Sequence, residues 1–420
     1  MKGIKVAVEQ LQPGIFIRLP LKWFDHPFVL GRFKLDSSEQ IQIIKSLGIS
    51  HVIAYPAKSD ASPIPMPEVS DEPSLNDSEI TSLKNELKLI KEQRIEKLKV
   101  FRRDLNQTEK CFHNSMTNVR NIMQNIRSRP VQAIEQAGQL IDEISERLLN
   151  QDEIVLHLMN ETKEDENIYY HSLNVSILSM LVAKKKGLNK EQLNTVGMAG
   201  LFHDIGKLKI PTQILRKKEA LNSAEINYLK LHPKYSIDLL NLADHFDEEA
   251  KNIIAQHHEL FDGSGYPKGL SGAQLEPLTH ILSVVNNYDA LCHPVNIKKA
   301  RTPFAALSYQ FKHDKHKYEP DSLKLLVKLL GVYPPGTVVE LDNGQCGLVI
   351  SVNLDNLLSP NVLLYDPIIP KEEAVIIDLN ENDDIKIVKA LNPKQLLPEV
   401  YAYLNPRNRI NYYIDHTEKR

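Results

Sequence analysis

Cysteine is scarce in this chain of 420 residues: Cys111, Cys292 and Cys346 lie far apart, and no two form a CxxC pair. That excludes a disulfide framework and a cysteine-built zinc site, and it suits a reducing compartment. Long apolar runs are also missing, with none near the roughly 18 residues a membrane helix needs. The opening segment, MKGIKVAVEQLQPG, lacks the apolar core of a signal peptide. A cytoplasmic protein without membrane insertion is therefore expected. Nor is there an excess of charge of one sign. The formal net charge is −3, so no general attraction to DNA or anionic lipid is implied, and a nucleotide would need positive charge supplied locally. With 42% hydrophobic and 25% charged residues, the composition is that of a folded globular protein. Its length predicts two or three domains.

Residues 1–57 read as a small α+β unit. Strand-like runs at Ile4–Val8 and Gly14–Arg18 precede an aromatic cluster of Trp23, Phe24, Phe28 and Phe33. Ser37-Ser38-Glu39-Gln40 then opens an amphipathic helix with a capping signature, and His51–Ala54 reads as a strand. Residues 58–78, rich in Pro, Ser, Asp and Glu, read as a flexible linker. A charged helix is expected over 79–114, its clearest periodicity running from Glu79 to Leu105 with Leu83, Leu87 and Ile90 at helical spacing. It is either a dimer-forming helix or a solvated helix lying on its own domain, and the slip in spacing after Ile90 favours the second. Residues 115–330 are helical in pattern, broken at Asp262–Gly272. From 331 to 420 the period changes to two, at Val338-Val339, Leu348–Ile350, Val362–Leu364 and Val375–Ile377. Asp342-Asn343-Gly344 gives a hairpin signal between the first two runs. A mainly α protein with a β-rich C-terminal module is the result.

Of 15 histidines, five fall in an ordered series within the helical region. His171 comes first, then His203-Asp204 with Lys207, then His232, then the pair His257-His258 ahead of a Gly-rich turn. A helix expected over Ile281–Leu291 closes the series with Asn286 and Asp289. Imidazoles beside a carboxylate suit a divalent metal such as Mn, Fe, Ni or Zn. A carboxylate can also bridge two cations ~3.5–4 Å apart, the spacing used for in-line attack on phosphate. Lys207, one helical turn after His203, can reach the same side and meet a phosphate oxygen. Taken alone, each histidine has a plainer reading as a surface or hydrogen-bonded core residue, which is the one given to His157, His245, His280, His313 and His316. The series as a whole points to a metal site.

The segment from His171 to about Ala300 resembles the HD-GYP family, a branch of the HD metallohydrolase superfamily. His203-Asp204, His257-His258 and the intact Gly265-Tyr266-Pro267 carry the likeness, supported by Ile210-Pro211, Ile214-Leu215-Arg216-Lys217 and His232-Pro233. The resemblance implies an all-helical HD-type catalytic domain that binds two divalent ions, iron or manganese before zinc, nickel or magnesium, and hydrolyses cyclic di-GMP. It implies His171, His203, Asp204, His232, His257 and His258 as metal ligands and Lys207 as a phosphate contact. The Gly265–Pro267 loop, Arg216 and Lys217 would line the substrate pocket. Residues 1–57 also look like the small domain that often precedes HD-GYP domains in proteobacteria. Candidate partners are a second copy through the helical region and GGDEF-domain or other signalling proteins.

Three positions depart from the family pattern. Asn167 stands where a three-metal branch has Glu, with Asp165 and Glu166 as neighbouring alternatives. Asn286 stands where an Asp ligand is usual, and Asp289 shares its helical face. Val295-Asn296-Ile297 replaces an Arg-Pro-Tyr segment, leaving Lys298 as the nearest cation. A point charge there replaces a bidentate fork. The last two departures keep a weakened regulatory or binding module in view, and because HD enzymes as a class accept many phosphoesters, a phosphohydrolase for another nucleotide, cyclic or not, is a further reading.

Overall fold

The computed structural model describes residues 3–22, 25–28, 30–65, 76–150, 156–159, 167–217, 219–243, 245–294, 296, 299–353, 356–367, 369, 371, 374–382, 385–404 and 411–414. Of the expectations above, Trp23, Phe24, Asp165, Glu166, Val295, Ile297, Lys298 and residues 66–75 of the linker lie outside the described residues. The chain divides into two compact units. One comprises 1–102 with 341–345 and 364–376; the other comprises 103–340 with 346–363 and 377–420.

The first unit is built on an antiparallel sheet of β1 (Ile4–Ala7), β2 (Phe16–Arg18), β3 (Arg32–Lys34) and β4 (His51–Ala54), in the order β1-β4-β2-β3. Helix α1 (Ser38–Lys45) starts where Ser37 Oγ accepts from Gln40 N, as its capping signature predicts. Its buried face, Ile41, Ile43 and Ile44, joins Val6, Ile15, Ile17, Leu35 and Val52 in one core. Phe28 and Phe33 pack with ring centroids 4.7 Å apart. Helix α2 runs from Asp77 to Asn125, well past the point where the periodicity slips. Leu83 and Leu87 pack on this first core, so the early part of α2 lies on its own domain.

The second unit is helical. It contains α3 (Pro130–Asn150), α4 (Asn167–Lys185), α5 (Lys190–Phe202), α6 (Thr212–Leu215), α7 (Ser223–Leu229), α8 (His232–Leu240) and α9 (Glu248–Gln256). After these come α10 (Thr279–Cys292), α11 (Pro303–His313) and α12 (Pro320–Leu330). Helix α4 is buried nearly all round, from Leu173 and Val175 to Leu181 and Val182, which is how a central helix reads. It packs against α5 and α10. Among the described residues one strand interrupts the helical region: β5 (Leu156–Met159), paired antiparallel with a distant strand at Asn411–Ile414. The sequence pattern did not show it, because its partner strand lies about 250 residues away in the chain.

The C-terminal strands β6 (Val338–Leu341), β7 (Cys346–Ser351), β8 (Asn361–Leu364), β9 (Ile376–Asp378) and β10 (Ile387–Leu391) form a sheet in the order β10-β6-β7-β8-β9. Gly344, at φ 74°, turns the β6–β7 hairpin where Asp-Asn-Gly predicts it. Short helix α13 (Pro398–Leu404) follows, and β11 is the Asn411–Ile414 strand. Among the described residues no helix is long and apolar enough to cross a membrane.

Candidate metal centre

Four elements bring the histidine series together. Helix α4 presents His171, the end of α5 presents His203, the start of α8 presents His232, and the end of α9 presents His257 and His258. After His203 the chain tightens into a 3-10 turn over Ile205–Lys209, which leaves Asp204 pointing inward, buried at 1% exposure. Gly206 permits that turn, because a Cβ there would collide with the backbone of His232 and Ser236. Ser236 ties the turn down, accepting from Gly206 N at 2.8 Å and donating to His203 O at 2.9 Å.

The tautomers are set by the backbone. His203 Nδ1 donates to Gly200 O at 2.8 Å, His232 Nδ1 to Leu229 O at 2.7 Å, and His257 Nδ1 to Ile254 O at 2.7 Å. Each acceptor is a carbonyl with no proton to give, so each Nδ1 carries the hydrogen and each Nε2 is left with a bare lone pair. Burial holds His203 below the usual imidazole range and His257 and His258 well below it, which keeps these rings neutral. Yet His232 Nε2 faces His257 Nε2 at 3.1 Å, and His203 Nε2 faces His171 Nε2 at 3.1 Å.

Asp204 sits between the two pairs. Its Oδ2 lies 3.4 Å from both His171 Nε2 and His203 Nε2, and its Oδ1 lies 3.2 Å from His232 Nε2 and 3.8 Å from His257 Nε2. Oδ1 is buried with no hydrogen-bond partner among the described residues. Burial alone would raise this carboxyl, but Lys207, with Nζ 2.5 Å from Oδ2, holds it well below the carboxylate range. Two groups of donor atoms result: His171, His203 and Asp204, and Asp204, His232, His257 and His258. Lone pairs facing lone pairs beside an orphaned carboxylate oxygen are what a pair of cations would satisfy. The residues present therefore fit two divalent ions with Asp204 shared.

Asp289 takes a different place from the ligand position considered for it. Its Oδ2 accepts from His171 Nδ1 at 2.6 Å, its Oδ1 lies 3.1 Å from His293 Nδ1, and Asn174 donates to it as well. It stands behind His171, orienting the ring, as carboxylates behind metal-binding histidines do. Asn286 is buried one turn earlier on α10. Lys207 is engaged by Asp204 rather than held apart for substrate. Lys217 is tied to Glu225 at 2.7 Å, and Arg216 is exposed on the surface after α6.

The Gly-Tyr-Pro loop closes over the paired histidines. Tyr266 stacks on His258 with centroids 4.6 Å apart and planes 18° from parallel, and its N–H donates to His258 O at 3.1 Å. A Cβ on Gly265 would come within 2.5 Å of Glu259 Cα and His258 O, so only glycine allows this approach. The Tyr266–Pro267 bond is cis. Sequence reasoning missed Glu259, which is buried and accepts from Lys268 N at 2.6 Å and Leu270 N at 3.0 Å. Asn174 and Ser236 were missed too. Nothing in their local sequence separates a site-supporting Asn or Ser from a surface one.

Residues 132–322 match the HD domain family, and residues 3–137 match a domain of unknown function, DUF3391. The chain is 27% identical over 377 residues to the cyclic di-GMP phosphodiesterase PA4108 of Pseudomonas aeruginosa, covering 86% of this chain and 84% of that protein. RpfG of Xanthomonas campestris pv. campestris, a cyclic di-GMP phosphodiesterase response regulator, is 30% identical over 210 residues, 46% of this chain and 56% of its own. The 3′3′-cGAMP-specific phosphodiesterase 1 of Vibrio cholerae is 36% identical over 126 residues, 29% of this chain and 28% of that one. The His-Asp pair, the paired histidines and the Gly-Tyr-Pro loop are thus joined at one centre, in a chain that carries an HD domain over 132–322 preceded by a DUF3391 domain over 3–137.

Proposed function

We propose that this chain is a cytoplasmic, metal-dependent phosphodiesterase that hydrolyses cyclic di-GMP to pGpG or GMP and so lowers a second messenger in bacterial signalling. The observation that carries the reading is the pair of facing Nε2 contacts astride the buried Asp204. Relatives named as cyclic di-GMP phosphodiesterases support the substrate. The proposed organisation is a small N-terminal domain, a linker, a charged helix, the catalytic domain over 115–330 and a C-terminal module.

In this reading His171, His203 and Asp204 hold one ion, while Asp204, His232, His257 and His258 hold the other. Iron or manganese is proposed, on a donor set of imidazole and carboxylate. Bound there, two divalent ions would supply Lewis-acid charge against the phosphodiester and make a water acidic enough to attack it. The chain's own groups do the rest. Carbonyls and Asp289 hold the imidazoles in one tautomer and one orientation. Lys207 keeps Asp204 ionised and brings a positive charge beside the phosphate position. Tyr266 walls the pocket with a flat ring, and Gly265 and Pro267 fix its place. Arg216 and Lys298 are proposed outer phosphate contacts.

A second reading, hydrolysis of 3′3′-cGAMP, is favoured by the Vibrio relative. The neutral Asn286 favours a third, a module that binds nucleotide and turns over slowly. One experiment separates them: anaerobic purification, metal analysis, and hydrolysis of both cyclic dinucleotides with added Mn or Fe, beside His203→Ala/Asp204→Ala. About two ions per chain and cyclic di-GMP turnover lost in the double variant are expected. Bound metal with no turnover of either dinucleotide would select the binding module. A chain that takes up no metal would end the proposal.

A further inference from the structure

The first unit contains a cavity of its own, lined by Arg18, Leu19, His26, Arg32, Asp366 and Ile369 among others. The strand register makes Arg18 and Arg32 direct cross-strand partners in β2 and β3. Two like charges placed opposite each other in an antiparallel pair repel. Here the Nε of each guanidinium is buried and has no hydrogen-bond partner among the described residues. His26 shares the cavity at 3% exposure, and both of its ring nitrogens are equally unpartnered. Behind it the buried Lys91 donates to His26 O at 2.8 Å. Gly31 lines the cavity beside the ring.

Among the described lining residues Arg18 and Arg32 are cationic and Asp366 is anionic, and Lys91 and Asp25 lie close enough to act on His26. Buried donors without acceptors cost free energy, and an anion with several oxygens supplies what they lack. The space is small and admits about one oxygen-sized atom. A ligand would thus place one oxygen inside and keep the rest of its anionic group outside.

We propose that this cavity is an anion site for a phosphate group, formed by Arg18, Arg32 and His26 and independent of the metal centre. Inorganic phosphate and the terminal phosphate of a mononucleotide share this chemistry. Cyclic di-GMP, which has only diesters, lacks the terminal group.

The test is calorimetric titration of the full-length chain, stripped of metal by chelator, with inorganic phosphate and separately with GMP. One site is expected, weakened at least tenfold in Arg18→Gln/Arg32→Gln and tightened several-fold in Asp366→Asn, which removes the opposing charge. Equal affinity for the two ligands identifies free phosphate as sufficient, whereas binding of GMP alone identifies a nucleotide phosphomonoester. If the double variant does not fold, Arg32→Lys and Asp366→Asn carry the test, the first weakening and the second tightening. No binding, or binding unchanged in these variants, overturns the proposal.

Discussion

His171 owes its orientation to Asp289, whose carboxylate lies 2.6 Å from the nitrogen on the far side of the ring. Replacing Asp289 with Asn removes the charge and half the acceptor capacity while keeping the shape. Metal affinity or turnover should fall roughly 10–100-fold, with the helical circular dichroism unchanged. Metal content and kcat, measured together, check this. A fall no larger than that of a surface Asp→Asn control would reduce Asp289 to a core residue. The ligating residues were legible because metal chemistry demands particular side chains in a recognisable order: the doublets His203-Asp204 and His257-His258 survive in one dimension. Asp289 was legible only as an acid near Asn286. Whether it reaches a metal or a histidine depends on how α10 faces α4, and no local pattern encodes that. His293, one turn further along the same helix, meets Asp289 by i,i+4 spacing alone.

At the scale of elements, α4 and the loop after α9 do most to set the site. Leu181 of α4 is fully buried. Leu181→Ala should cost about 2–5 kcal/mol, read as a lowered denaturation midpoint with unchanged slope. The same change at the exposed Leu89 of α2 should be near neutral. Glu259 anchors the Gly-Tyr-Pro loop through two backbone N–H groups. Glu259→Gln leaves one of them facing an amide, at about 1–3 kcal/mol. The expected result is weaker metal retention together with a raised KM; unchanged values for both would show the anchor to be dispensable. Helices, hairpin and capped α1 were readable from period and turn chemistry. The full reach of α2 and the pairing of β5 with β11 were not, since one ignores a break in hydrophobic spacing and the other joins residues about 250 apart in the chain.

For the whole molecule, two dependences follow. Metal that binds only the folded chain stabilises it by mass action, so chelator should lower the melting temperature of the wild type but not of His203→Ala/Asp204→Ala. The first unit should be acid-sensitive. Burial, then Lys91, lowers His26 from 6.5 to about 4. The unfolded chain therefore binds the extra proton first, and stability present above pH 6.5 is lost as pH falls toward 4. The loss should reach up to about 3 kcal/mol. Burial likewise lowers Lys91 to about 8, which adds a gain in stability as pH rises from 8 toward 10.5. Hydrogen exchange of β2 and β4 across this range measures both, and His26→Gln should flatten the acid limb. Net charge and composition foretold neither dependence, because both come from side chains that only the fold buries.

Glu259 also constrains how such a chain can change. It follows directly on the two histidines at the end of α9, and its carboxylate grips the loop whose tyrosine lies flat on the second of them. The wall that would recognise a base and the ring that would hold an ion are thus a single mechanical part. Selection for a new nucleotide acting on this loop disturbs the metal as well. Preference and metal retention are inherited together.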